Sequence, residues 1–254
     1  MRGFSVFVKK ELIEQLRTYK LFIICTVFFL FGMSSPLLAK LMPEIFKNMK
    51  VEGMKIIIPE PTALDAYGQF FKNMSQMGLI IILLVFGSII SNELMRGTLI
   101  NILAKGLPRP TVILSKYTAA IILWTISYTI SAATAIGYTF YLFDPTGISN
   151  LILSFFCLWL FGCFVIALIF LSSTVTTGNF GGLILSAVAL MLLLVMNSLP
   201  KVGRFNPITL ASKNLSLLEG SLVAGELIIT IIITSALIIL CLYISILLFG
   251  KKKL

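Results

Sequence analysis

Long apolar runs alternate with short polar stretches along the whole chain, and the length of the runs decides its class. Six of them, at roughly 21–40, 75–91, 117–142, 149–171, 180–198 and 226–249, are continuous. About 20 helical residues at 1.5 Å each cover the ~30 Å of a hydrocarbon core, whereas a barrel shows ~10-residue segments of alternating polarity. The pattern predicts an all-α integral membrane protein with six transmembrane helices, one domain over 1–254. Ahead of the first run, FSVFVKKELIEQLRTYK spaces Phe4, Val8, Leu12, Leu16 and Tyr19 three or four residues apart, with Lys9, Lys10, Glu14 and Arg17 elsewhere on the wheel. That predicts an amphipathic interfacial N-terminal helix over 1–20, lying in the headgroup layer.

The connections are punctuated by turn residues. Residues 41–74 read as a long outer loop broken by Pro59 and Pro61, with Thr62 and Asp65 forming a T-x-x-D capping box that starts the next helix outside the membrane. FDPTGIS joins the third and fourth spans, and Gly178, Gly181 and Gly182 reverse the chain between the fourth and fifth. After the fifth span, LPKVGRFNPITLASKNLSLLEGS has an apolar centre suited to dipping partly into the membrane.

Composition agrees with this reading. Of 254 residues 58% are hydrophobic and 12% charged, which leaves too little polar surface for a water-soluble domain. With the N-terminus inside, the inner segments hold 12 Lys and Arg against 3 acids, and the outer ones 8 against 7. The positive-inside rule therefore places both termini in the cytoplasm, in a multi-pass protein of the plasma membrane with its first span retained. The net charge of +10 is mostly this asymmetry plus attraction to anionic lipid, and calls for no nucleic acid. Cys25, Cys157, Cys163 and Cys241 all lie in apolar runs, read as small buried hydrophobes.

Chemistry is defined mainly by what is missing. The cores of the six runs carry no Asp, Glu, Lys, Arg or His, which disfavours a self-energised, ion-coupled transporter. The sequence shows no constellation for an intramembrane enzyme and no phosphate-binding G-x-x-x-x-G-K-[ST] loop. No catalytic, cofactor or metal residues are assigned, and uphill transport would need energy from another polypeptide. Ser127, Ser131, Thr134 and Tyr138 put hydroxyls along one face of the third span. They line a translocation path or let helices approach and bond across the gap, and the spacing is compatible with both. Thr230, Thr234, Cys241 and Ser245 form a similar stripe in the sixth.

SNELMRGTLINILAKGLPRPTVILSKY, at 91–117, is a polar stretch with an apolar patch of its own at Leu99, Ile102 and Leu103. Gly97 loosens the second span, Gly106 caps a short helix over about 98–105, Pro108 and Pro110 stop it, and Thr111 caps the helix that becomes the third span. The stretch resembles the membrane subunits of ABC type 2 exporters, in which a Glu ends the second span, Gly-Thr-Leu starts a short coupling helix, and a Pro-x-Ser-Arg element precedes a Lys opening the third span. Glu93, Gly97, Thr98, Leu99, Leu103, Arg109 and Lys116 match; Gly106 and Pro108 depart from the pattern. The amphipathic KKELIEQLR, the long first outer loop near Ser35-Pro36, and Asn206-Pro207 after the fifth span extend the likeness over nearly the whole chain.

The resemblance implies a permease subunit of an ATP-driven exporter that is not itself an enzyme. It implies a separate ABC ATP-binding subunit carrying ATP and Mg, and a second permease chain. Segment 97–106 would be the coupling helix, with Leu99, Ile102 and Leu103 as apolar anchors and Arg96, Lys105 and Arg109 around them. The alternatives are a membrane-embedded lipid-modifying enzyme and a non-transporting sensor or assembly factor.

Overall fold

A computed structural model describes residues 2–48, 60–87, 89–91, 93, 97, 103, 106–144, 146–176, 178, 180–199 and 203–252. The described residues are helical with turns, and no strand occurs among them. The helices are α1 (Arg2–Arg17), α2 (Lys20–Asn48), α3 (Ala63–Asn73), α4 (Leu79–Phe86), α5 (Arg109–Leu142), α6 (Leu151–Val175), α7 (Gly181–Asn197), α8 (Thr209–Ser212), α9 (Asn214–Leu218) and α10 (Ala224–Lys251). A single π turn, Met74–Gly78, joins α3 to α4 without interrupting the rod. Among the described residues, five rods are long and apolar enough to cross a membrane: Lys20–Ile45, Ala63–Phe86, Arg109–Leu142, Leu151–Val175 and Ala224–Lys251. The apolar α7 has 17 residues and rises about 25 Å.

Several boundaries differ from the sequence reading, each for a local reason. Of the expected 41–74 loop, residues 41–48 continue α2 and 63–73 form α3. Pro36 and Pro43 both lie inside α2. Each proline removes one N–H, and the rest of the ladder carries the helix on; beside Pro36, the Ser35 hydroxyl donates to the Phe31 carbonyl at 2.6 Å. The Asp65 carboxylate accepts from the Thr62 N–H and hydroxyl, both at 2.8 Å, so the capping box forms where the sequence placed it. α5 begins at Arg109, ahead of Thr111, with Pro108 as its N-cap. Pro110 falls in the first turn, where a missing N–H costs nothing.

α6 is the central post, buried along most of its length. Beside it, Phe155 collects Tyr67, Phe70, Phe71 and Tyr128 at centroid separations of 5.1–6.4 Å. Indole and phenol groups bond across the α5–α6 seam: Trp124 Nε1 donates to Trp159 O at 3.0 Å, Tyr128 to Phe155 O at 2.8 Å, and Tyr117 to Cys163 O at 3.3 Å. A Cβ at Gly162 would fall on the Trp124 ring, so glycine is required for this approach. All four cysteines are free thiols.

Gly162→Val is expected to destabilise the bundle by ~1–3 kcal/mol through overpacking. Gly137→Ala, in open space on the same seam's partner helix α5, is expected to be neutral or to stabilise by up to ~1 kcal/mol. Denaturant unfolding in micelles compares the two.

Candidate functional site

α1 docks along the beginning of α5. The face it buries holds Phe7, Glu11 and Gln15, spaced four apart. Most of the predicted apolar stripe points away: Phe4, Leu16 and Tyr19 are 37%, 55% and 69% exposed. Glu11 is pressed inward because its partner, Lys116, is fully buried about two turns into α5.

Lys116 Nζ lies 2.8 Å from Glu11 Oε2 and 2.5 Å from Glu93 Oε1. The pairing continues outward, with Glu11 Oε1 3.0 Å from Lys10 Nζ and Lys10 Nζ 2.6 Å from Glu14 Oε2. Glu93, Lys116, Glu11, Lys10 and Glu14 thus alternate in sign from the interior to the surface. The Phe7 ring lies 5.3 Å from Lys10 Nζ and 6.0 Å from Lys116 Nζ, offering its negative face to both cations. Burial pushes the Glu93 carboxyl above the usual range, opposed by the Lys116 charge. At the outer end burial also works against the Glu14 carboxylate, but its bond to Lys10 prevails and holds it below that range.

Carboxylate oxygens of Glu11, Glu14 and Glu93 come within 4.8 Å of one another, a spacing a cation could bridge. Here Lys116 and Lys10 already place ammonium groups among them, so the cluster reads as an ion-pair chain.

The start of α5 is also tied to the end of the chain. Arg109 donates through one guanidinium nitrogen to the carbonyls of Phe249, Gly250 and Lys252, at 3.1, 2.6 and 2.9 Å. These are the open carbonyls at the C-terminus of α10, where a cation also answers the helix dipole. Lys252 Nζ donates in turn to Thr176 O, just past α6, at 3.1 Å. The ends of α6 and α10, the start of α5 and all of α1 therefore share one end of the bundle. There Ser173 Oγ donates to Gly87 O at 3.1 Å, and a Cβ at Gly182 would meet both, which brings the end of α4 and the start of α7 to the same place.

The sequence-predicted residues fall into three groups. Arg96, Thr98, Leu99, Ile102 and Lys105 lie outside the described residues. Gly97 and Gly106 have φ of +67° and +85°, the left-handed region that favours glycine, and Gly106 N–H donates to Leu103 O at 2.9 Å. Leu103 is half-buried against the chain's own core, Arg109 is engaged with α10, and Glu93 with Lys116.

The hydroxyl stripe of α5 faces α2 over its buried part. Ser127 Oγ is 3.3 Å from Cys25 Sγ, and Ser131 donates to Phe28 O at 2.6 Å. A Cβ at Gly32 would strike the Ser131 carbonyl and Thr134, so the two backbones nearly touch. The Thr134 hydroxyl bonds back to Ile130 O, while Thr134 and Tyr138 edge a shallow depression with Phe29 and Tyr141.

Glu11 is the residue sequence reading passed over. It sits within KKELIEQLR as one charge among five, and only its place between Phe7 and Gln15 distinguishes it.

No protein-family model matches the chain, and no curated protein matches it by sequence.

Lys116→Met is expected to cost ~3–5 kcal/mol, because it removes the buried cation that two carboxylates share and leaves Glu11 only the half-exposed Lys10. Lys10→Met, at the exposed end, is expected to cost under ~1 kcal/mol. Chemical unfolding in micelles distinguishes the two. A second expectation concerns Arg109→Met: faster amide exchange over the last turn of α10, with the middle of that helix unchanged.

Proposed function

We propose that the chain is the membrane permease subunit of an ATP-driven exporter of the ABC type 2 kind, working with a separate ATP-binding subunit that carries ATP and Mg and with a second permease chain. The observation that carries the reading is the Lys116 cluster. Glu93 lies seven residues beyond the second rod and shortly before segment 97–106, the stretch whose residues resemble a coupling helix. Its carboxylate shares one buried ammonium with Glu11 of α1. In this reading a push on 97–106 passes to Glu93, and from Glu93 to α5 through Lys116 and to α1 through Glu11.

In this reading α7 is the sixth crossing, both termini face the cytoplasm of a plasma-membrane protein, and the Lys116 end is the cytoplasmic end, as the bias of 12 basic against 3 acidic residues favours. α1 lies in the headgroup layer with Leu16 and Tyr19 toward lipid. Leu99, Ile102 and Leu103, with Arg96, Lys105 and Arg109 near them, meet the ATPase. The chain conducts and couples, and hydrolysis belongs to its partner.

Copurification tests the coupling surface. Leu99→Glu and Ile102→Glu are expected to release the ATPase by more than about tenfold, a loss of ~1.4 kcal/mol or more, while the permease stays in the membrane. Undiminished retention of the ATPase by both variants counts against the coupling surface.

A further inference from the structure

A groove of about 870 Å³ runs along the flank of the bundle from the end away from Lys116, between α3–α4, α7 and the α8–α9 segment, with Phe161 of α6 as its floor. Its volume lies within the ~300–1,000 Å³ range of pockets that enclose a small ligand. One end of the lining mixes polar groups, Asp65 among them, with apolar Phe71 and Leu215, and the other end is apolar. Gln69, Lys72 and Gln76 from the second rod and Glu219 beyond α9 are polar; Leu79, Ile80, Leu83 and Met191 are apolar. From Gln69 to Leu83 the helix axis advances about 21 Å, so head and tail of one extended molecule fit along a single wall.

Two further features point to a ligand. Asn214 lines the groove and is 1% exposed; its Nδ2 donates to Ala211 O at 3.1 Å, but its Oδ1 has no hydrogen-bond partner. A buried amide oxygen left unpaired is costly, and this one requires a donor. The π turn also belongs to the wall, through Ser75 and Gln76, and Ser75 donates to Ala211 O at 3.4 Å beside Asn214. Such turns collect at functional sites. Polar side chains on a rod that otherwise suits hydrocarbon need polar company.

We propose that this groove binds a single-chain amphiphile with a zwitterionic, N–H-bearing head. An ammonium head donates to Asn214 Oδ1 and faces the Glu219 carboxylate, its anionic part meets Lys72, and the chain lies along Leu79, Ile80, Leu83 and Met191. The assignment rests on the groove alone and holds whether or not an ATPase drives the protein.

The test uses the full chain in phosphatidylglycerol vesicles with a trace of lysophosphatidylethanolamine bearing a photoactivatable group on its chain, with adducts mapped by mass spectrometry. Adducts are expected on 64–83, 187–194 and 208–219. Unlabelled lysophosphatidylethanolamine should suppress them at about tenfold lower concentration than lysophosphatidylcholine, which lacks N–H donors, or lysophosphatidylglycerol, which lacks the ammonium. Asn214→Leu is expected to abolish that head preference. Met191→Trp, at a position 64% exposed and so compatible with folding, is expected to cut total labelling about tenfold. Adducts spread evenly over lipid-facing helices such as α10, or labelling unchanged in Met191→Trp, would overturn the groove as a site. Equal competition by the three lysolipids would overturn the head assignment, and equal competition by two-chain phosphatidylethanolamine the single-chain one.

Discussion

An ammonium group with no access to water sits at one end of the bundle, and the elements reaching that end are arranged around it. Lys116 is fully buried at the start of α5, where isolation would be prohibitively expensive. Two carboxylates from elsewhere in the chain make it tolerable: Glu11 from α1 and Glu93 from beyond α4. This requirement fixes α1 against α5 and turns its Phe7, Glu11 and Gln15 face inward. It also holds Glu93, beyond α4, against α5. Arg109 and Lys252 extend the same logic, each cation closing the open carbonyls of another element's C-terminus.

The opposite end is built on other terms. Its bonds are mostly neutral, between hydroxyls, amides and carbonyls: Asn206 Nδ2 to Leu193 O at 2.7 Å, Thr209 to Gly203 O at 2.6 Å, and Ser149 N–H to Leu218 O at 2.8 Å. Between the ends, small residues and aromatics hold the rods close, with Gly32 against Ser131 and Gly162 against Trp124. The described bundle thus has a charge-tied end, a close-packed middle and a grooved flank.

Much of this was legible along the chain because hydrocarbon thickness imposes it: the apolar runs, the capping box at Thr62 and the tight reversal near Gly181 all follow from local rules. The misplaced boundaries come from ending the first span with its apolar run and from starting the third at Thr111. Pro36 and Pro43 are carried inside α2 by the surrounding ladder, and Pro110 sits in a first turn where it breaks nothing. Reading 41–74 as a loop also hid Gln69 and Lys72, polar residues on a helix that faces the groove. The cluster was illegible for a different reason. Glu11 and Lys116 are 105 residues apart, and nothing in either local pattern names the other. The α1 wheel advertised its apolar stripe, whereas the docked face was chosen by one buried cation.

The central claim is that Glu11 and Lys116 hold α1 and α5 together as a pair. A double-mutant cycle with Glu11→Gln and Lys116→Met, followed by unfolding in micelles, measures this directly. The account predicts a coupling energy above ~1.5 kcal/mol, with the double variant more stable than the sum of the two losses implies. Additive losses, agreeing within ~0.5 kcal/mol, would contradict it.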